Sequence, residues 1–544
     1  MAKAEAPTLA RQGDSAVLDE ADLGDIRGAL GHISAHDVAQ RRSWRARMLT
    51  LLAIMGPGLI VMVGDNDAGG VSTYAQAGQN YGTALLWTLP LLVPVLIVNQ
   101  EMAVRLGAVT GVGQARLIFE RFGRNWGFFS VGNLFLLDFL IIVTEFIGIS
   151  LGAAYFGVSP VIAVPLAGVL LVGITVTGRF ERWERFMFVF LVANALVIPL
   201  AVLSHPQIGP IMHGFFIPGV PGRVSSTTIL LIIAIVGTTV APWQLFFQQS
   251  NVVDKRITPR WIAYERADTV IGAFVVVIGA AALMIAPAFA FQGTPLAGQY
   301  TDALGVARGL AQHAGTAAGT LFAIILIDAS IIGASAVTLA TSYAIGDAFG
   351  MQHSLHRPWR EAKAFYATFS ALIALAAAIV LIPNAPLGLI TTAVQALAGV
   401  LLPSATVLLL MLCNDRDVLG PWVNRPWFNA IATVIVSVLI ALSAILVVAT
   451  VLPQLNIGLL VVSLGGALGA GLLALGGMRL LRRRPTAVRE EPLDRSTWRT
   501  PSLALLNRPH WSRGRVLAMG ALRAYLVLTV LLLIVKAVQI GTGH

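Results

Sequence analysis

Charge is scarce in this chain. Asp, Glu, Lys and Arg make up only 12% of its 544 residues, while 56% are hydrophobic. A soluble domain carries about 25% charged residues, so the composition excludes a soluble fold. The mean hydropathy of +0.79 points to a polytopic membrane protein. Cysteine is almost missing. Cys413 stands alone, which excludes an intrachain disulfide and any thiolate metal cluster. Residues 1–45 lack the apolar stretch of a signal peptide, so no cleavable leader is expected. No glycine-rich nucleotide loop, His-Glu-x-x-His pair or nucleophile motif is present, which leaves a membrane-bound enzyme or sensor without support. The net charge of +10 is the Lys and Arg excess that cytoplasmic loops accumulate. It calls for no nucleic-acid partner.

The chain is organised around Gly64-Asp65-Asn66-Asp67-Ala68-Gly69-Gly70, a polar, glycine-rich heptad inside the apolar segment from about Leu49 to Ala77. Acidic side chains at bilayer depth are rare and normally face a cavity or pathway. Non-helical backbone there survives only when it is buried in protein or lines water. The heptad therefore reads as an ion site in a broken helix. The alternative is a span ending at Met62, with the heptad as an external loop. A second break argues against it. Val236-Gly237-Thr238-Thr239-Val240-Ala241 shares the frame V-G-x-x-x-A with Val63–Ala68 and runs into Pro242. Paired interruptions in corresponding positions of two halves point to a transporter's binding site.

A span needs about 20 apolar residues. Thirteen candidates begin near Leu49, Thr83, Trp126, Val161, Phe186, Ser226, Ala267, Ala317, Ala364, Leu387, Trp427, Ile457 and Val516. Basic loops at 105–124, 179–185, 255–266, 356–363, 415–425 and 479–484 alternate with loops poor in Lys and Arg. All of them fall inside when the N-terminus is cytoplasmic. The longer external loops are then 204–225 and 292–314, and His544 lies outside. Three regions follow: a cytoplasmic polar tail over 1–45, a transporter core over 46–453, and two additional helices over 454–544 with a cytoplasmic linker near 482–515. The tail reads as mostly disordered. A short amphipathic helix through Val17, Leu18, Ala21, Ile26, Leu30 and Ile33 is the alternative.

Asp67, just after the first break, is the foremost metal ligand candidate. Asp65 and Asn66 are beside it, and the Gly64 and Thr238 carbonyls are natural donors. All are oxygen ligands, which suit Mg²⁺, Ca²⁺ and Mn²⁺ rather than softer ions. Neither break contains Met, Cys or His. Small residues at Gly70 and Ala241 leave room for an ion that keeps part of its water, as Mg²⁺ does. Asp138 and Glu145 are seven residues apart and share one face of the third span, where a cation or proton path and a structural role are both open. Asp328 and Asn133 lie within spans, and Gln395 in the tenth could supply an amide oxygen. Glu101, beside Arg105, reads as an ion pair or gate. Trp243, Gln244, Gln248 and Gln249 continue the second broken helix toward an inner vestibule.

At these residues the sequence resembles the NRAMP family of divalent-metal transporters. Asp67-Ala68-Gly69-Gly70 is similar to its Asp-Pro-Gly-Asn, and Thr238-Thr239-Val240-Ala241-Pro242-Trp243 to its Ala-Thr-Val-Met-Pro-His. Thr73, Gln76, Tyr81-Gly82, Leu106-Gly107, Thr110-Gly111, Leu402-Pro403-Ser404-Ala405 and Asn424-Arg425-Pro426-Trp427 also fit, over about residues 48–453. The resemblance implies an all-α, LeuT-like fold: two inverted five-helix repeats with broken first and sixth helices, plus about three further transmembrane helices. It carries Asp67 over directly, and Gly64, Thr238 and Gln395 as oxygen donors.

The departures are informative. The family's metal-binding Asn is Gly70 here and its metal-binding Met is Ala241. Its two histidines on the sixth helix are Trp243 and Gln248 or a neighbour. Glu145 matches a family carboxylate, but the aspartate expected three residues earlier is Ile142. This pattern resembles the NRAMP-related magnesium transporters, which move Mg²⁺ and Mn²⁺ without evident proton coupling. The expectation is an alternating-access importer of Mg²⁺, with Mn²⁺ also accepted, in a bacterial inner membrane. The ion is cargo, no cofactor is expected, and the lipid bilayer is the other partner. Two rivals keep the architecture. One is a proton-coupled transition-metal importer using Asp138 or Asp328. The other is a sodium-coupled carrier of a small organic solute.

Overall fold

The computed structural model describes residues 16–17, 19–37, 39–220, 225–383, 386–451, 457–481, 495, 498–506 and 512–541. Its helices are α1 Trp44–Ile54, α2 Pro57–Val63, α3 Ala68–Tyr81, α4 Thr88–Thr110, α5 Gln114–Phe122, α6 Arg124–Tyr155, α7 Pro160–Thr175, α8 Phe180–Ala193, α9 Val197–Leu203, α10 Ile208–Phe216 and α11 Ser226–Thr239. They continue as α12 Pro242–Asp254, α13 Ile262–Ala290, α14 Ala303–His313, α15 Thr316–Phe349, α16 Lys363–Val380, α17 Leu387–Cys413, α18 Arg416–Leu419, α19 Pro426–Val451, α20 Ile457–Leu481 and α21 Arg513–Gly541.

Among the described residues nine helices are long and apolar enough to cross a membrane, and the bent pair α1–α2 makes a tenth. Shorter apolar helices at Pro160–Thr175, Gly458–Ala474 and Val516–Leu528 take the remaining three expected positions. The architecture is the expected one. The first repeat runs from α1 to α9, the second from α11 to α17, and α19 to α21 follow. The expected external loops 204–225 and 292–314 hold the short helices α10 and α14.

The long third helices of the two repeats, α6 and α15, pack along each other. Apolar surface gains nothing by leaving lipid, so small residues that admit close backbone approach drive such contacts. A Cβ at Gly148 would lie 2.3 Å from Ser330 Oγ, and one at Gly152 2.6 Å from an Ile327 side-chain carbon. The first helix of the second repeat crosses the last in the same way. A Cβ at Gly237 would meet the Gln395 carbonyl oxygen at 2.2 Å and the Gly399 nitrogen at 2.3 Å. That crossing holds Gln395 against the second break.

The N-terminal segment departs from both sequence expectations. Residues 26–33 form neither a disordered chain nor a helix, but an antiparallel hairpin pairing Ile26 with Ile33 and Gly28 with Gly31. We call its strands β1 Ile26–Gly28 and β2 Gly31–Ile33. It docks where α1 meets α2. The Ala29 nitrogen donates to Glu184, a Cβ at Gly28 would lie 2.5 Å from the Ala53 carbonyl oxygen, and one at Gly31 2.8 Å from the Ala53 Cβ. Arg256 donates to the carbonyls of Ala21 (2.8 Å) and Asp25 (3.2 Å), and Arg260 to that of Asp37 (2.6 Å). Arg357 grips Asp19 at 2.5 Å. Five hydrogen-bond and ion-pair contacts thus replace the long apolar face that an amphipathic helix would need. The tail before residue 16 and most of the linker near 482–515 lie outside the described residues. Within that linker, Thr500 donates through its hydroxyl to the Val418 carbonyl (2.8 Å) and accepts from the Ala16 nitrogen (3.0 Å).

Candidate functional site

The first helix is interrupted twice. Between α2 and α3 the chain turns through Gly64–Asp67, with the Asp65 nitrogen on the Met62 carbonyl (3.2 Å) and the Asn66 nitrogen on that of Val63 (3.1 Å). The Gly64 and Asp65 carbonyls accept no backbone hydrogen bond among the described residues. Asp67 caps α3, its Oδ1 accepting from the Gly70 nitrogen at 2.7 Å. A carboxylate at a helix N-terminus also meets the positive end of the helix dipole.

The second break separates α11 from α12, through extended Val240 and Ala241. Its cause is local. Pro242 has no N–H, so the Thr238 carbonyl loses the donor that would continue the helix. The Thr238 hydroxyl is buried and also without a partner among the described residues.

The fold brings both breaks together. A Cβ at Gly70 would lie 2.7 Å from the Asp65 carbonyl oxygen and 3.1 Å from Thr238 Oγ1. Gln395 presses its amide on the next glycine, since a Cβ at Gly69 would overlap Gln395 Nε2 at 1.6 Å. Glu145 arrives from α6, with Oε2 accepting from the Ala68 nitrogen at 3.1 Å. A Cβ at Gly333 would touch Glu145 Oε2 (2.6 Å) and the Asp67 Cβ (2.9 Å), so the two acids flank one point on α15. Trp243 closes one side, its ring 3.4 Å from a Cβ built on Gly64. It stacks edge-on to Phe247.

Burial here is extreme. Asp65 is 0% exposed, Asp67 3%, Thr238 1% and Gln395 1%, so the site is shut off from both faces. Both Asp65 carboxylate oxygens, Asn66 Oδ1, Glu145 Oε1 and Thr238 Oγ1 have no hydrogen-bond partner among the described residues. Buried polar atoms without partners are strongly unfavourable, and a group of unpaired acceptor oxygens beside two helix breaks could chemically accept a cation. No three His, Cys, Asp or Glu side chains converge into a resident metal centre among the described residues.

Other sequence candidates lie elsewhere or turn aside. Asn66 points its amide to the Val276 carbonyl of α13 (3.2 Å). Ala241 is buried at the start of α12. Gln248 lies further along α12 and donates to Glu265 at 3.0 Å, away from the breaks. Gln249 donates to the Val112 carbonyl (2.7 Å), and Gln244 accepts from Gln100 (3.3 Å). Asp138 accepts from the Thr341 hydroxyl at 2.8 Å. Asp328 is buried, with Oδ2 unpartnered among the described residues.

Sequence reasoning missed a second polar cluster at the junction of α1 and α2, where the axis bends by 56°. Asp268 of α13 accepts from the nitrogens of Gly56 (3.0 Å), Gly58 (2.8 Å) and Leu59 (3.2 Å). Lys255 donates to the Met55 carbonyl and to Glu184, each at 2.7 Å. Gly56 has φ of +152°, which a side chain rarely adopts, and a Cβ there would overlap Glu184 Oε1 at 2.1 Å. The signal was present as Gly56-Pro57-Gly58, a breaker triplet inside an apolar run.

Comparison with known proteins agrees with this geometry. The chain is 27% identical over 416 residues to the divalent metal cation transporter MntH of Aeromonas hydrophila subsp. hydrophila, covering 74% of this chain and 96% of that one. It is 28% identical over 415 residues to the protein of the same name from Verminephrobacter eiseniae, covering 74% and 90%. A crystal structure of a mutant Eremococcus coleocola manganese transporter superposes with a TM-score of 0.61 at 20% identity, covering 86% of this chain and all of that one. That likeness speaks to the fold. Residues 58–449 match the family described as Nramp, natural resistance-associated macrophage protein-like, and the chain belongs to that family.

Proposed function

We propose that this protein imports divalent cations by alternating access, with Mg²⁺ the main cargo, Mn²⁺ also carried, and no obligatory proton partner. The observation that carries the reading is that group of acceptor oxygens. The unpaired polar atoms around the two breaks include oxygens of Asp65, Asn66, Glu145 and Thr238, beside the Gln395 and Trp243 side-chain nitrogens, and neither break holds a sulfur or imidazole. Such a set does not disfavour hard ions. Asp67, Asp65, Gly64, Thr238 and Gln395 are the proposed ligand positions, with Gly70 and Ala241 providing the space. The relatives named as divalent metal cation transporters support the cargo class. A bundle carrying both broken helices would rock against α6 and α15. With the N-terminal hairpin on the cytoplasmic side, an inside-negative potential drives uptake, worth about 4.6 kcal/mol for a divalent ion at 100 mV.

The test is uptake into proteoliposomes holding a Mg²⁺-sensitive dye or, separately, a pH dye, at fixed potential. Mg²⁺ influx without acidification, abolished by Asp67→Ala, is expected. Equal influx in Asp67→Ala overturns the site. A second reading, proton-coupled Mn²⁺ import, is favoured by the manganese transporters among the structural neighbours. Acidification that tracks Mn²⁺ uptake, with no Mg²⁺ signal, selects it.

A further inference from the structure

A basic cavity of about 300 Å³ opens where the ends of α4, α13 and α19 meet Arg495. Arg105, Arg266, Arg425 and Arg495 line it, and Glu101 is the one carboxylate among its lining residues. That carboxylate is already shared: Arg105 holds one oxygen at 3.0 Å and Arg266 holds the other. Arg105 also donates to the Trp422 carbonyl (2.7 Å) and Asn424 (2.5 Å), yet its buried Nε has no partner among the described residues. The buried Nε of Arg266 has none either. Arg425 and Arg495 make no ion pair among the described residues. Among the described residues the cavity therefore carries a surplus of positive charge.

Its walls are aromatic. Trp422 lies under the Arg495 guanidinium at 5.5 Å, Phe428 under that of Arg105 at 5.4 Å, and Trp427 stands 60% exposed on the first turn of α19. Indole rings at helix ends mark the membrane–water interface. A cation on its way to the ion site would be repelled here, so the cavity is no part of the metal route. Basic pockets between transmembrane helices bind anionic lipid headgroups, and guanidinium forks match phosphate oxygens.

We propose that this cavity binds the phosphodiester headgroup of an anionic phospholipid, with Arg425 and Arg495 meeting the phosphate and Trp427 flanking the glycerol and chains. A free phosphate would present the same oxygens, but the exposed indole favours a ligand that is apolar on one side.

The test uses the full chain purified in mild detergent and titrated with phosphatidylglycerol, phosphatidylcholine or inorganic phosphate. Bound lipid is counted by native mass spectrometry and unfolding is followed thermally. Phosphatidylglycerol is expected to form a discrete adduct that phosphatidylcholine does not. Arg425→Gln with Arg495→Gln should weaken that adduct about tenfold or more while leaving the lipid-free melting temperature unchanged. The matched control, Arg42→Gln with Arg45→Gln, removes the same charge from exposed positions outside the cavity and should leave the adduct intact. The proposal falls if the cavity variant keeps the lipid as well as the control does, or if the parent prefers neither lipid. Displacement of the lipid by inorganic phosphate overturns the lipid assignment in favour of a free anion.

Discussion

Lys255 and Glu184 form an ion pair with no solvent exposure, 2.7 Å apart, and Lys255 holds the Met55 carbonyl at the same distance. The pair joins the end of α12 to α8 and the bend of the first helix, with the hairpin nitrogen of Ala29 completing it. Removing one partner strands a buried charge, which costs about 3–5 kcal/mol. Lys255→Met and Glu184→Leu should each lower the melting temperature sharply. The double substitution should recover most of the loss. Thermal unfolding of the four purified proteins gives the coupling directly, and additive losses would show that the pair is not a unit.

Space at the proposed ion site is set by glycine. A methyl group at Gly70 would crowd the Asp65 carbonyl and the Thr238 hydroxyl, at 2.7 and 3.1 Å. Gly70→Ala should cut Mg²⁺ uptake about tenfold or more, equivalent to 1.4 kcal/mol, with the protein still folded. Dye-loaded vesicles and a melting curve measured together separate this outcome from misfolding. Unchanged uptake would place the ion elsewhere.

Selectivity should respond to one atom of sulfur. Ala241→Met would add a thioether where the second break begins α12. Softer ions then gain relative to Mg²⁺, by about tenfold in the Mn²⁺-to-Mg²⁺ uptake ratio. Overpacking of a buried position costs about 1–3 kcal/mol, so expression should fall as well. Competition between the two ions in one vesicle preparation reads the ratio, and no change would remove Ala241 from the site.

The contact between the N-terminal segment at Asp19 and the loop after α15 should depend on pH at both ends. Burial opposes charge on His353, but the hydrogen bond and charge of Asp347, 3.1 Å away, prevail and raise its pKa to about 9. Its stabilising contribution is full below about pH 6.5 and is lost as pH rises through about 9. Burial likewise opposes charge on Asp19, but Arg357 outweighs it and holds the carboxyl below its ordinary value. That contribution is present above about pH 4 and disappears in acid. Proteolysis of the segment 19–40 should be slowest between these limits. His353→Gln should abolish the alkaline rise in cleavage and leave the acid one.

The fold was largely legible because bilayer spans announce themselves. Twenty apolar residues leave few alternatives, and Pro242 and the Asp67 heptad broke the pattern visibly. Asp65 and Gln395 were legible as polar residues within spans, but the approach of Gln395 to Gly69 and of Glu145 to Ala68 was not, since separate helices come together through glycine crossings that no periodicity encodes. The position of Gln248 along α12 was clear, but the face it turns to Glu265 was not. The hairpin was unreadable from hydrophobic pattern because arginines from distant loops hold it, through backbone carbonyls that any sequence supplies. Asp268 carried no signal in the sequence, because only the bend at Gly56 gives it three N–H groups to receive.

The doubly cut first helix has a mechanical consequence. Pro57–Val63 is a rigid rod of roughly 10 Å with a joint at each end. Swinging it need not unwind any turn, because its internal hydrogen bonds travel with it. Under the proposed alternating access only the joints would exchange partners: Asp268 and Lys255 at one end, the proposed ligand oxygens at the other. A bound ion would then be wired to a latch one rod-length away, and loosening either joint would change the leverage on the other.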